Sequence, residues 1–232
     1  MRTTFLAVLA FVALLVAVPT VLMVLLRYVL NSAVRFSALA PALLGIFPFT
    51  IMFLITSVTT LRERTTGTFE RLMVMPISKL DLILGYALAF GLVAVVQVVV
   101  AAGTSVLFLG MTVAGSVWSL LVITVLDALL GTALGLFVSA FARTEFQAIQ
   151  FMPVFVLPQF LLCGLFVPRH EMGWVLDWLS NAMPLSYAVD ALTHVTQSAT
   201  IDTTLVRNVI VVAGCVVLAL VLGAATLRRR TP

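Results

Sequence analysis

The feature that most limits what this chain can become is a series of six apolar runs. Each is about 20 residues or more and can cross the roughly 30 Å hydrocarbon layer of a bilayer as a single helix. They lie at about residues 5–26, 39–60, 80–109, 118–142, 146–167 and 209–227. Lipid offers no hydrogen-bond partners and a helix satisfies its own backbone, so the runs predict an all-α, polytopic membrane protein. A single transmembrane domain over residues 1–232 is expected. Hydrophobic residues make up 62% of the chain and charged residues only 9%. Soluble domains carry about a quarter charged residues, so a soluble fold of this size could not hide the apolar surface. The first run outlasts the roughly 7–15-residue core of a secretory signal and reads as a retained span.

The pI near 9.7 does not point to nucleic acid, because the basic residues are scattered over the ends of the runs with no aromatic-interleaved patch. Their sidedness is more informative. With the N-terminus inside, nine Lys and Arg fall on the inner side: Arg2, Arg62, Arg64, Arg71, Lys79, Arg143 and Arg228 to Arg230. Four fall outside: Arg27, Arg35, Arg169 and Arg207. Cytoplasmic loops are enriched in these residues, so both termini are expected in the cytoplasm.

That orientation places a polar island, residues 61–79, on the cytoplasmic side. Arg62, Glu63, Arg64, Glu70 and Arg71 put five charges within ten positions. Thr68 is a reasonable N-cap, Glu70 suits the positive end of a helix dipole and Pro76 stops the segment, so a two-turn helix is expected over 68–75. Phe69, Leu72 and Met73 would form its apolar face. Lipid-binding segments are mostly clusters of Lys and Arg, whereas mixed charge around a small apolar patch fits a protein partner. Ser78-Lys79-Leu80-Asp81 has the spacing of a capping box and predicts the start of the third span. The uncharged segment 110–117 predicts a tight turn. Outside, Trp174, Val175, Trp178 and Leu179 recur at helical spacing opposite Asp177, Ser180 and Asn181. They predict an interfacial helix within an outer segment, 168–208.

Catalytic patterns are missing. The only lysine, Lys79, follows Ser78 and forms no phosphate-binding Gly-Lys-[Ser/Thr] loop, so the chain is not expected to bind ATP itself. HExxH and G-x-S-x-G do not occur. His170 and His194 make no metal-ligating set. Cys163 and Cys215 both lie in apolar runs and read as small apolar fillers. Asp127 is the one acidic residue in the middle of a span, roughly 14 Å deep at 1.5 Å per residue. Gly131, Gly135 and Ser139 follow it at steps of four, forming a face on which another helix can pack closely. Asp127 is then either a carboxylic acid hydrogen-bonded across a helix interface or a contact for a proton or substrate. Gln97, Gln147, Gln150 and Gln159 are open in the same way. A secondary transporter or channel using Asp127 as proton carrier is the rival to a partner-driven protein, and a non-transporting membrane scaffold is a third class.

Several stretches together resemble the type-2 ABC transporter permeases. They are Pro41 with Phe47-Pro48-Phe49; Leu61-Arg62-Glu63-Arg64-Thr65-x-Gly67-Thr68-x-Glu70-Arg71-Leu72-Met73-x2-Pro76; and Asp81-x3-Gly85-Tyr86. Gly164-x-Phe166-x-Pro168 and Met183-Pro184-Leu185-Ser186-Tyr187-x2-Asp190 agree. The resemblance implies six spans and a second permease copy or paralogue. It also implies a pair of ABC ATPase subunits in trans that bind ATP and Mg²⁺, with no cofactor on this chain. Residues 62–76 would be the coupling helix seated in the ATPase, and the outer segment would dip partly back into the membrane. The activity implied is export of a drug, lipid or glycan. Such permeases usually begin with an amphipathic cytoplasmic helix rich in Arg and Lys, where this sequence has Met1-Arg2-Thr3-Thr4; either that helix is missing or the start differs, and weaker ATPase docking is the expectation.

Overall fold

The computed structural model describes residues 2–66 and 78–226, and these contain helices and no strand. In chain order they are α1 (Arg2–Leu30), α2 (Ala33–Thr65), α3 (Lys79–Leu107), α4 (Val117–Ser139) and α5 (Glu145–Leu162). A short 3-10 turn (Arg169–Glu171) follows, then α6 (Trp174–Asn181), α7 (Pro184–Gln197) and α8 (Thr203–Ala225). Six of the helices, α1 to α5 and α8, are long and apolar enough to cross a membrane. The expected helix at 68–75, and with it Phe69, Glu70, Arg71, Leu72 and Met73, lies outside the described residues, as do Arg228 to Arg230.

Local chemistry sets the ends. The capping box forms as expected: the Asp81 amide donates to Ser78 Oγ at 3.0 Å and the Ser78 amide to Asp81 Oδ2 at 3.1 Å. The Gln147 amide donates to Thr144 Oγ1 at 3.1 Å to start α5, and the Leu205 amide to Asp202 Oδ1 at 2.8 Å to start α8. That last cap moves the start of the sixth span from the expected 209 to Thr203. Gly164, with φ of +93°, adopts a conformation that L side chains resist. It lies just beyond the end of α5 at Leu162, short of the expected 167.

Two further expectations are corrected. α2 is 33 residues long, roughly 50 Å at 1.5 Å per residue, so it overruns 39–60 at both ends. Arg62, Glu63 and Arg64 are therefore its last turns and not part of a loop, since Leu, Arg and Glu are strong helix formers once their side chains reach water. Nor is 110–117 merely a tight turn. The Ala114 and Gly115 amides donate to Thr196 O and Val195 O at 3.0 and 2.9 Å, binding this loop to the end of α7.

The centre of the bundle is the α2–α4 pair: the apolar windows of these two spans are 61% buried, against 17% for those of α1 and α5. The expected small-residue stripe is where they meet. A Cβ on Gly131 would sit 2.3 Å from Phe49 O and one on Gly135 2.6 Å from Phe53 O, so the backbones touch there. Phe36, Phe49, Phe53, Leu44 and Leu130 fill the space around the seam, and Leu185 and Leu192 of α7 join them. In lipid, close packing of this kind replaces the hydrophobic effect as the force between helices. α1 packs on α3, and α8 on α4 and α7.

Candidate functional site

The polar groups gather in three places along α2 and the helices it touches. At the first, the last turns of α2 meet the beginnings of α3 and α5. Tyr86, two turns into α3, donates its hydroxyl to the Glu63 carboxylate, closing the base of the segment that joins α2 to α3. Arg62 reaches Glu145 at the start of α5 at 3.9 Å, an exposed pair of modest energy. Arg64 is partly buried beside them. The sequence reading placed Arg62, Glu63 and Arg64 together in this region. It missed Glu145 as their neighbour and Tyr86 as the partner of Glu63, although Tyr86 stood in a quoted motif.

The second place is Asp127, which is completely buried. It faces the bare backbone of Gly45 on α2: a Cβ there would lie 3.3 Å from Asp127 Oδ2, 3.0 Å from Leu192 Cδ1 and 3.7 Å from Val189 Cγ2. The carboxyl of α4 thus lies against α2, with α7 side chains converging on the same point. Neither carboxyl oxygen has a hydrogen-bond partner among the described residues. The cross-interface hydrogen bond that the sequence reading allowed for Asp127 is absent there. Gly131 and Gly135 serve close packing, as described. Gln97 is buried in α3 and donates to Leu15 O of α1 at 2.9 Å, which ties those helices together. Gln159 donates to Phe155 O at 2.9 Å and accepts from the Leu185 amide at 3.3 Å, holding the start of α7 on α5.

The third is an outer cap that the sequence reading recognised only as one interfacial helix. α6 does turn Trp174 and Trp178 outward, 84% and 68% exposed, while Ser180 is buried and donates to Leu162 O at 2.9 Å. Arg169 is the hub. Its guanidinium donates to the Asp190 carboxylate and to Asn181 Oδ1, and lies 5.2 Å from the Tyr187 ring centroid. The Tyr187 hydroxyl closes the set by donating to Asn181 O at 2.9 Å. Burial pushes the Asp190 carboxyl above its ordinary pKa, with Arg169 opposing the shift. A signal for α7 was present: Pro184 at a first helical position and Tyr187 and Asp190 one turn apart.

Among the described residues no group of His, Cys, Asp and Glu could hold a metal ion. What the arrangement offers is a tightly seamed helix pair with polar ties at both ends and an unpartnered acid between them.

Comparison with known proteins agrees in kind. The family model described as ABC-2 type transporter matches residues 2–196. The probable multidrug ABC transporter permease YbhS of Escherichia coli is 27% identical over 186 residues, which is 79% of this chain and 49% of that protein. YbhR of the same organism, another probable multidrug ABC transporter permease, is 27% identical over 150 residues, 65% of this chain and 41% of that protein. ABC transporter G family member 20 of Dictyostelium discoideum is 26% identical over 154 residues, 66% of this chain and 21% of that protein. The chain thus aligns with at most about half the length of these relatives, 49%. With most of its length matched by the family model and six apolar helices in the fold, the chain belongs to the ABC-2 type transporter family, the membrane permeases of ABC transporters.

Proposed function

We propose that this chain is the membrane permease of an ABC exporter, moving a hydrophobic or amphipathic substrate (a drug, lipid or glycan) out of the cytoplasm. It lies in the cytoplasmic membrane with both termini inside and works with a second permease. A separate ATPase, which binds ATP and Mg²⁺, docks on the coupling segment 61–79 and pushes on the ends of α2 and α3. The observation that carries this reading is the Tyr86–Glu63 hydrogen bond at the root of that segment. It makes the ends of α2 and α3 one mechanical unit, so a push on the segment is passed to the bundle and not absorbed by two loose helix ends.

Glu63 is already engaged by Tyr86, so the test reverses charge at Glu70→Lys and Arg71→Glu. The double variant should insert in the membrane normally and lose association with the cognate ATPase in a pull-down. Unchanged association would remove the reading. So would uphill transport by the reconstituted chain alone, the behaviour of a proton-coupled carrier acting through Asp127.

A further inference from the structure

Asp127 has no structural use visible in the fold. A buried carboxyl is normally held by donors or a counter-charge, because its oxygens lose water and gain nothing otherwise. Here both oxygens lack a hydrogen bond among the described residues, the side chain is wholly buried, and Oδ2 points at the one place on α2 with no side chain, Gly45. Val189 and Leu192 of α7 converge on the same point of Gly45, 3.7 and 3.0 Å from a Cβ built there. The site is an acid at the bottom of an apolar lining, and its chemical complement is a positive charge on an apolar body.

α7 is built as a cover over this group. Polar ties hold it around the contact and not at it: the Leu185 amide to Gln159 at one end, Val195 and Thr196 carbonyls to the 114–115 amides at the other, and Asp190 to Arg169 between. From α7, Val189 and Leu192 approach Gly45 with apolar methyl groups, beside Asp127 Oδ2 of α4. Withdrawing those two side chains would free the Gly45 side of the carboxyl.

We infer that Asp127 is the recognition group for lipophilic cations, binding the charged centre of an organic ammonium or phosphonium ion once Val189 and Leu192 withdraw from Gly45. The inference rests on the export reading above and names a substrate class for it. A cation supplies the counter-charge the fold omits, and its apolar body replaces the α7 side chains against the lining. Neutral molecules of the same shape gain only the second contribution.

The probe is tetraphenylphosphonium, whose charge is permanent, with tetraphenylsilane as neutral shape control. Binding to the full chain in lipid nanodiscs is measured by equilibrium dialysis. The parent should prefer the cation by about tenfold or more in dissociation constant, an ordinary margin for one charge contact. Asp127→Asn should abolish the preference and Asp127→Glu should restore most of it. Thermal unfolding supplies the second readout: Asp127→Asn should be at least as stable as the parent, because it removes an uncompensated acid. Equal cation binding by parent and Asp127→Asn would overturn the inference. So would a marked loss of stability in Asp127→Asn, since it would mean the carboxyl serves the fold. Failure here with the ATPase pull-down intact removes this inference alone; failure of the pull-down with cation binding intact removes the ATPase reading alone.

Discussion

Replacing Gly131 with alanine tests whether the α2–α4 seam is as tight as the backbone positions require. The added Cβ would sit 2.3 Å from Phe49 O, 3.0 Å from Phe49 C and 3.1 Å from Phe49 Cα. An ordinary carbon–oxygen contact is about 3.3–3.6 Å, so the two helices must separate by about 1 Å. None of the crowded atoms belongs to a side chain that could swing away. A gap of that size forfeits about a quarter to a half of the dispersion energy of each contact it opens, and forced overpacking typically costs about 1–3 kcal/mol. Because the crowded atoms are backbone, the upper part of that range applies, about 2–3 kcal/mol; alanine returns up to about 1 kcal/mol through helix propensity, leaving a net loss of about 1–2 kcal/mol. Gly103 and Gly214 are the internal controls: beyond the chain neighbours and the helix's own backbone, nothing lies within 4 Å of a Cβ built on either. The same substitution there should be neutral or stabilising by up to about 1 kcal/mol. Unfolding in detergent, followed by tryptophan fluorescence, should give opposite signs for Gly131→Ala and Gly214→Ala. Gly131→Ala matching the parent in stability would refute a backbone-contact seam.

Tyr86→Phe removes only the hydroxyl that Glu63 accepts; a hydrogen bond to a charged group contributes about 1.5–3 kcal/mol. It should lower ATP-driven transport in reconstituted vesicles more than it lowers ATPase association in a pull-down. Asp190→Asn strips the counter-charge from Arg169, whose side chain is 13% exposed. Breaking a fully buried pair costs about 3–5 kcal/mol, but Asp190 is partly solvated, so about 1–2 kcal/mol is expected, read as faster proteolysis of residues 168–201 in intact vesicles. Asp202 is held below the usual carboxylate range, first by the Leu205 amide and further by His194. A depressed carboxylate stabilises the fold above its unfolded pKa and loses that contribution as pH falls through the folded one. The stability gap between the parent and Asp202→Asn should therefore close as pH drops below about 4.

How much of this was readable from the sequence depends on whether the deciding contact was local. Six spans follow from apolar length alone, and the start of α3 from a four-residue capping pattern. The glycine stripe was visible because its period matches a helix, though which helix it met was not. The true length of α2 is hidden because apolar length marks only the part of a helix that lies in lipid, whereas Arg62, Glu63 and Arg64 continue the helix beyond the apolar layer. α7 was hidden for a related reason: Pro184 to Gln197 has too few apolar residues to read as a span, yet it buries Leu185, Ala188, Val189, Leu192 and Val195 in the bundle. The Arg169 cap joins residues from three elements, and the Tyr86–Glu63 bond bridges 23 positions. Neither leaves a periodic trace in a single chain.

The seam also decides which parts of the bundle can move against which. Gly131 and Gly135 bring backbone against backbone along α2 and α4, so sliding one helix past the other must lift Phe49 and Phe53 over a glycine step with no side chain to yield. α2 and α4 therefore shift together or not at all. α2 carries Glu63 near one end and Gly45, beside Asp127, nearer the other, so the Tyr86 bond and the buried acid lie on one continuous helix, with Pro48 between them as a bending point. α7 meets that helix at Gly45 through Val189 and Leu192, side chains that can change rotamer, whereas the seam sets backbone against backbone. If the bundle yields to a displacement at the Tyr86 bond, side-chain contacts such as that of Val189 and Leu192 with Gly45 can rearrange without parting two backbones, and the α7 side of Asp127 is where the inferred opening is expected.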